Sequence, residues 1–176
     1  MNHPHIELAG ESLQLLPQRA IWWNRTSTLI ISDLHLGKAA AFRHSGIPVP
    51  EATTDADLAR LTRLIQITRA ERLIILGDLI HARQSRCDSV IDSVLRWRNT
   101  NSALSITLIR GNHDDRAGDP PSEWNITCES GPCTDAPFIY RHDPLDDPRG
   151  YVLCGHIHPA VRLFGHGGAA MRTHRF

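Results

Sequence analysis

The sequence predicts an α/β domain in which two β-sheets pack against each other. Eight short apolar runs of strand length recur along the 176 residues, and two amphipathic helical patterns lie between some of them. The order is two strands, then alternating strand and helix, then a strand-rich end, which suits an α/β core with two packed sheets. With 41% apolar side chains, a chain of this length buries one good core, so we expect a single domain over residues 1–176.

The predicted strands are rich in branched residues. They are LQLL and AIWW near the start, TLIIS ending at Ser32, RLIIL ending at Leu76, SITLI ending at Ile109, FIY ending at Tyr140, YVLC ending at Cys154 and AVRLF ending at Phe164. In AIWW we expect one of Trp22 and Trp23 to be buried and the other exposed, because successive side chains point to opposite faces. The alternative is that they stack on a nucleic-acid base.

Two helices are predicted between the strands. Thr54 is the expected N-cap of the first helix, with Asp57 at the capping-box position, and Asp88 begins the second. The apolar residues recur at helical spacing, so each helix has one face for the core. These faces carry Leu58, Leu61 and Ile65 in the first helix, and Val90, Val94 and Trp97 in the second.

The charge composition is balanced, with 19 basic and 19 acidic residues. This counts against a non-specific nucleic-acid binder, which usually has a basic surface. No apolar stretch approaches the ~20 residues that span a bilayer, and the start MNHPHIELAG lacks the regions of a signal peptide. Four scattered cysteines without a CxxC pair suggest reduced thiols, so we expect a cytoplasmic protein without a membrane partner.

Metal-type side chains follow five of the predicted strands, at the points where those strands end. They are Asp33 and His35, then Asp78, then Asn112, His113 and Asp114, then His142, and finally His156 and His158. Each group alone has an ordinary explanation, such as a turn or a satisfied histidine. In an open α/β sheet, however, ligands bind beyond the carboxyl ends of the strands, so five such groups would converge on one edge.

The order of these motifs resembles a known signature. D-x-H, G-D, G-N-H-D, a later lone His and G-H-x-H, between Asp33 and His158, are similar to the motifs of the calcineurin-like metallophosphoesterase superfamily. The stretches LHLGKAAAFR, GIPVPE, GDLIHAR, RGNHD and GDPP resemble one branch, the bacterial ligase-associated DNA-damage-response metallophosphoesterases, described as endonucleases. The resemblance implies a four-layer α-β-β-α sandwich, a binuclear metal centre at the sheet edge, and hydrolysis of phosphoesters, above all phosphodiesters.

The resemblance also implies which residues hold the two divalent metals. Asp78 would bridge them. One metal would be held with Asp33, His35 and His158, and the other with Asn112, His142 and His156. Imidazole and oxygen ligands without thiolate suit manganese, iron, zinc or cobalt, and the family precedent favours manganese.

The chemistry expected of such a centre is attack by a metal-bridging hydroxide, which two metals make available at neutral pH. His113 is the candidate general acid for the leaving group. Asp114 could accept a hydrogen bond from the ring of His113 and favour its protonated form. The alternative role of His113 is stabilisation of transition-state charge, and the sequence does not separate the two.

Three further residues are candidate contacts to the substrate. Lys38 and Arg43 could hold a phosphate, although a solvated helix face explains them equally well. His81 in GDLIH could line the pocket, where many relatives in the broad family have an acidic or amide residue.

Two rival interpretations of the function remain at this stage. One is a small-nucleotide phosphodiesterase or phosphatase in place of a DNA endonuclease in DNA repair. The other is a non-catalytic scaffold on the same fold, although His113 and all seven ligand types are intact here. Association with a DNA ligase, helicase or exonuclease is implied by the resemblance alone. The chain stops soon after His158, at GHGGAAMRTHRF, whereas the branch generally continues, so we expect a short C-terminal edge of the second sheet.

Overall fold

The computed structural model describes residues 4–49, 53–158, 161–164 and 170–173. A sheet of seven strands forms the centre, with its strands in sequence order from β1 to β7. The first four strands pair antiparallel, and the pairs from β4 to β7 are parallel. The strands are β1 His5–Leu8, β2 Glu11–Leu16, β3 Ala20–Trp23, β4 Thr28–Ile31, β5 Arg72–Ile75, β6 Ser105–Ile109 and β7 Thr127–Glu129.

Parallel strands need crossover connections, and here helices supply them. The α-helices are α1 Lys38–His44, α2 Thr53–Thr68, α3 Asp88–Thr100 and α4 Asn112–Ala117, and 3₁₀ turns span Asn24–Thr26, Arg83–Ser85 and Ser122–Trp124. The predicted start at Asp88 is confirmed. The predicted cap is wrong, because Thr54 lies inside α2, and its buried hydroxyl accepts the N–H of Gly37 at 3.3 Å.

A second, smaller sheet follows in the chain. Its strands β8 Cys133–Asp135, β9 Phe138–Arg141 and β10 Tyr151–Cys154 have the order β10-β9-β8, and β9 and β10 are parallel, with Leu153 opposite Tyr140. The backbone of β11 Val161–Phe164 pairs antiparallel with β12 Ala170–Thr173. All eight apolar runs therefore contain strands.

The central strands of the large sheet, β3 to β6, are buried on both faces. On one face, Leu29, Leu73 and Leu108 pack against the helices through residues such as Leu61 and Val94. On the other face lies the core between the two sheets, formed mainly by Trp23, Ile30, Ile74, Ile109, Phe138 and Tyr140. Strands covered on both faces are apolar throughout, which is why these runs do not alternate with polar residues.

The two adjacent tryptophans show this double coverage directly. Trp22 is 7% exposed on the helical side, and Trp23 is fully buried between the sheets, where its ring meets Phe138 edge-on at 4.9 Å. The prediction that one of them is exposed was wrong, because both faces of β3 are covered. Neither ring is available to stack on a nucleic-acid base.

The predicted fold class is confirmed: a large mixed sheet is flanked by helices and packs against a second sheet. The described residues after Trp124 form strands and loops, so the helical layer expected outside the second sheet is not among them. Within the described part of the chain, no helix is both long and apolar enough to span a membrane. The four cysteines are free thiols.

Candidate metal centre

The parallel strands β4, β5 and β6 end at the same edge of the large sheet and deliver the first ligand candidates there. Beyond β4 and β5 the two segments continue to run side by side, because the N–H of Asp33 donates to Gly77 O at 3.1 Å and the N–H of His35 donates to Asp78 O at 2.8 Å. This pairing holds the Asp33 and Asp78 loops in register. The predicted convergence of distant motifs on one sheet edge therefore has a backbone cause.

Asp78 lies at the centre of the site and is only 2% exposed. Its Oδ2 is 3.8 Å from His35 Nε2, and its Oδ1 is 3.5 Å from His142 Nε2. The Oδ1 atom also accepts the backbone N–H of His113 at 3.0 Å. A carboxylate between two imidazole nitrogens has the position that a bridging ligand needs.

Three potential metal-ligand atoms lie close together on the His142 side of Asp78. His142 Nδ1 is 2.9 Å from Leu76 O, and a carbonyl only accepts, so the ring donates there and keeps its Nε2 lone pair. That Nε2 lies 3.2 Å from Asn112 Oδ1 and 3.0 Å from His156 Nδ1. His156 Nδ1 and Asn112 Oδ1 are 3.1 Å apart. Three potential ligand atoms that lie so close to one another form an arrangement that a cation can bind.

The other half of the site contains Asp33, His35 and His158, whose ligand atoms lie within 4.8 Å of one another. Asp33 Oδ1 is buried and has no hydrogen-bond partner among the described residues, and His158 Nε2 is 3.8 Å away. A buried oxygen without a partner is costly unless a cation pairs with it. Burial lowers the pKa of His35 to about 4, so this ring is neutral at neutral pH, as a metal ligand must be. The donor set in this structure therefore fits divalent cations.

Glycines make room for the ligand side chains. A Cβ on Gly77 would overlap the ring of His142, and a Cβ on Gly111 would overlap Asp78 Oδ1. A Cβ on Gly155 would overlap the backbone oxygen of Leu76. Gly77 and Gly111 thus allow the close approach of ligand candidates, and Gly155 allows the close approach of a neighbouring backbone.

Four of the seven ligand candidates have a left-handed backbone. The φ angles are 53° at Asp33, 48° at His35, 55° at Asp78 and 64° at His156. Such angles are uncommon outside glycine and persist only where the surroundings enforce them. The packing around the site therefore holds these four ligand candidates in an uncommon backbone conformation.

Asp114 has different partners from the predicted one. The ring of His113 donates through Nδ1 to His81 O at 2.6 Å, not to Asp114. Asp114 is 2% exposed, and its Oδ2 accepts the N–H groups of Asp78 at 2.7 Å and Gly111 at 3.0 Å, while its Oδ1 accepts that of Ile80 at 3.1 Å. Burial raises the pKa of Asp114, and the three N–H bonds oppose that rise. Asp114 thus connects the Asp78 loop to the start of α4. The predicted hydrogen bond from the ring of His113 to Asp114 is wrong.

His81 lies beside the candidate general acid. Its ring stacks on that of His113 with centroids 5.0 Å apart, and its Nδ1 is 3.3 Å from His35 Nδ1. Burial lowers the pKa of His81. Lys38 is exposed, with Nζ 5.9 Å from the centroid of the Phe42 ring, which itself contacts the ring of His81 at 5.8 Å.

Arg43 and Asp143 make contacts that the sequence did not predict. Arg43 Nη1 donates to Val49 O at 3.3 Å, within the segment that follows α1. Asp143 Oδ1 lies 4.0 Å from His156 Nδ1, and Asp143 groups with His142 and His156 as a possible metal-binding set. Sequence reasoning missed Asp143, and its position next to His142 was the available signal.

The comparisons agree with this geometry. Residues 26–169 match the family described as calcineurin-like phosphoesterase, and the chain belongs to this family of metal-dependent phosphoesterases. The crystal structure of the nuclease MPE from Pseudomonas putida is similar to the chain, with 39% identity and a TM-score of 0.82 over 96% of this chain and 79% of that chain. The search of curated proteins gave no match. The predicted superfamily is thus confirmed, and the similar structure is that of a nuclease.

Proposed function

We propose that the chain hydrolyses phosphodiester bonds with two divalent cations held by Asp33, His35, Asp78, Asn112, His142, His156 and His158. One observation carries the proposal: the buried carboxylate of Asp78 lies between His35 Nε2 at 3.8 Å and His142 Nε2 at 3.5 Å, with further donor atoms on both sides. When bound, such cations supply Lewis acidity and make hydroxide available at neutral pH. With two Asp as the anionic ligands, the loaded centre stays positive and attracts a phosphoester anion.

His113 is the residue that we propose assists the leaving group. Because its Nδ1 donates to His81 O, its Nε2 is the atom that can hold or transfer a proton. The backbone N–H of His113 donates to Asp78 Oδ1, which fixes the ring next to the ligands. Both roles, general acid and charge stabilisation, use the same atom, and the nature of the leaving group separates them.

The other predicted residues have supporting parts in the proposal. Asp114 positions Asp78 and Gly111 through their N–H groups. His81 and Lys38 lie near His113 and are candidate contacts to the substrate, whereas Arg43 has the weakest support.

For the substrate we favour nucleic acid, and DNA in particular, over a small nucleotide. The support is the similarity to a nuclease at 39% identity over nearly the whole chain. A scaffold without catalysis is less well supported, because it gives no reason for a buried carboxylate oxygen that lies near imidazoles and has no hydrogen-bond partner in the described part of the chain. Manganese is our choice of metal, with iron or zinc as alternatives, since the ligands are imidazole and oxygen without thiolate.

The cellular setting belongs to the proposal as well. The four unpaired thiols agree with a reducing compartment such as the cytoplasm. A role in DNA repair with a DNA ligase, helicase or exonuclease follows only from the resemblance of the motifs.

The test is to strip the protein of metal and restore manganese, zinc or magnesium while measuring both metal bound per chain and hydrolysis of bis-p-nitrophenyl phosphate. We expect two manganese ions per chain and activity that depends on them. Asp78→Asn should lose both, whereas Asp92→Asn, which changes a carboxylate on α3 away from the site, should lose neither. Folded wild-type protein that binds metal but hydrolyses no phosphodiester would favour the scaffold.

A further inference from the structure

Three arginines line the surface that leads away from His113 along α4 and the neighbouring 3₁₀ turn. They are Arg83, Arg86 and Arg116, and we refer to them as the arginine strip. Arg83 and Arg116 are exposed, and Arg86 is half-buried. Arg83 ends the GDLIHAR stretch, but no motif of the sequence joins it to Arg116, because residues 83 and 116 lie far apart in the chain.

Backbone carbonyls fix the strip relative to His113. Arg83 Nε donates to Arg116 O at 3.0 Å, and Arg86 Nη1 donates to Ala117 O at 3.3 Å and Asp119 O at 2.6 Å. These bonds hold the turn at Arg83–Ser85 against α4, whose first residues include His113. With a helical rise of about 1.5 Å per residue, the backbone of Arg116 is about 5 Å further along α4 than that of His113.

The guanidinium groups keep donors for a ligand. A guanidinium has five N–H groups, and the bonds that Arg83 and Arg86 make to the described residues use only Nε of the first and Nη1 of the second. The carbonyl bonds also restrict both long side chains before any ligand binds. Planar groups held in this way match the oxygens of phosphate.

The nearby carboxylates leave the strip positive. Asp119 pairs with Arg110 through two bonds of 2.7 and 2.8 Å, which lower its pKa, and Asp114 is buried on backbone N–H groups. Asp115 is the exposed carboxylate that remains on α4.

The loop after β9, on the His156 side of the metal centre, has three carboxylates, of which that of Asp147 pairs with Arg149 and Arg141. The loop after β9 exposes Asp143 and Asp146, and Asp143 lies 4.0 Å from His156. Two exposed carboxylates there repel an anionic strand. A strand bound at the centre is thus directed toward the arginine strip.

We propose that the arginine strip binds phosphates of a nucleic-acid strand beyond the bond that is cleaved. The inference rests on the proposed function and deepens it, because it names a polyanionic strand, and not a small phosphodiester, as the ligand for which this surface is built. A substrate with a single phosphate occupies the metal centre without reaching the strip.

The experiment compares Arg83→Ala/Arg116→Ala with the control Arg63→Ala/Arg96→Ala, which removes the same charge from positions on α2 and α3 outside the strip. The substrates are an end-labelled oligodeoxythymidylate, a thymidine dinucleotide and bis-p-nitrophenyl phosphate, each with manganese. For the oligonucleotide we expect KM to rise about tenfold in the strip variant. The slope of log affinity against log salt should become shallower by about 0.7 for each phosphate that the variant no longer neutralises. The effect on the dinucleotide should be several-fold smaller.

Equal KM values in the strip and control variants, or an equal effect on the dinucleotide, would overturn the inference. Wild-type protein that hydrolyses bis-p-nitrophenyl phosphate but not the oligonucleotide would also overturn it while leaving phosphodiester hydrolysis in place. Fluorescence anisotropy of the labelled oligonucleotide with metal-free protein tests the strip separately from catalysis. There, weaker binding by the strip variant than by the control supports the strip even if the hydrolysis proposal fails.

Discussion

Replacing Asp114 by Asn should both destabilise the protein and weaken its metal binding. The carboxylate accepts three backbone N–H groups while 2% exposed, two on Oδ2 and one on Oδ1. An asparagine has only one side-chain oxygen, and its best placement keeps the bonds from Asp78 and Gly111. The amide NH₂ then faces the N–H of Ile80, so one buried donor is left without an acceptor.

The size of the effect follows from that count. One hydrogen bond to a charged acceptor is worth about 1.5–3 kcal/mol. For a chain of this length, removing about 2 kcal/mol lowers Tm by roughly 4–8 °C. Asp114→Ala leaves all three N–H groups without an acceptor, at about 1–3 kcal/mol each. The sum approaches the total stability of an ordinary domain, so we expect that variant to fold poorly.

Thermal unfolding and manganese titration measure the two consequences. Because Asp114 holds the backbone of Asp78, a ligand candidate, we expect manganese affinity to fall about 10–100-fold in Asp114→Asn. Asp115→Asn is the matched control, since it changes the next, exposed carboxylate. If Asp114→Asn melts and binds manganese as this control does, the positioning role assigned to Asp114 is wrong.

Three other perturbations have clear expected outcomes. His113→Ala should slow hydrolysis of an ester with an alkoxide leaving group by about 10²–10⁴-fold. It should affect a nitrophenyl ester far less, because nitrophenolate leaves without a proton. Equal effects on the two esters would favour charge stabilisation as the role of His113. Gly111→Ala should abolish manganese binding through overlap with Asp78, whereas Gly131→Ala, with open space around it, should not; metal titration distinguishes them. Phe138→Ala should lower the free energy of unfolding by about 3–5 kcal/mol, since this fully buried ring packs against Trp23. Denaturant unfolding measures the change, and a decrease below about 1 kcal/mol would show that the sheets repack.

The sequence was sufficient for the strands and for the residues that follow them. The runs before Asp33, Asp78 and Asn112 are apolar because both sheet faces are covered, and parallel strands bring their ends to one edge. These relations depend on periodicity and order, which can be read along a chain.

Contacts between distant loops could not be read in the same way. Two examples are the hydrogen bonds from Asp78 to Asp114 and from Arg83 to Arg116. They form because the folded chain brings together loops that are distant in the sequence. Proximity in sequence favoured a contact between His113 and Asp114, but helical geometry turns Asp114 inward to the N–H of Gly111, and the ring of His113 reaches His81 instead. The exposure of the tryptophans was likewise decided by a second sheet that the local sequence does not reveal.

At His156, a proposed metal ligand, the left-handed backbone lowers the stability of the fold, whereas the side chain serves the proposed activity. Its φ of 64° costs a non-glycine residue roughly 1–2 kcal/mol, and the exposed ring contributes little packing in return. Glycine or asparagine would suit that backbone better, so a selection that rewards heat resistance alone should replace this histidine early. A thermostabilised descendant obtained without selection for hydrolysis is therefore expected to lose its metal chemistry before it loses its shape.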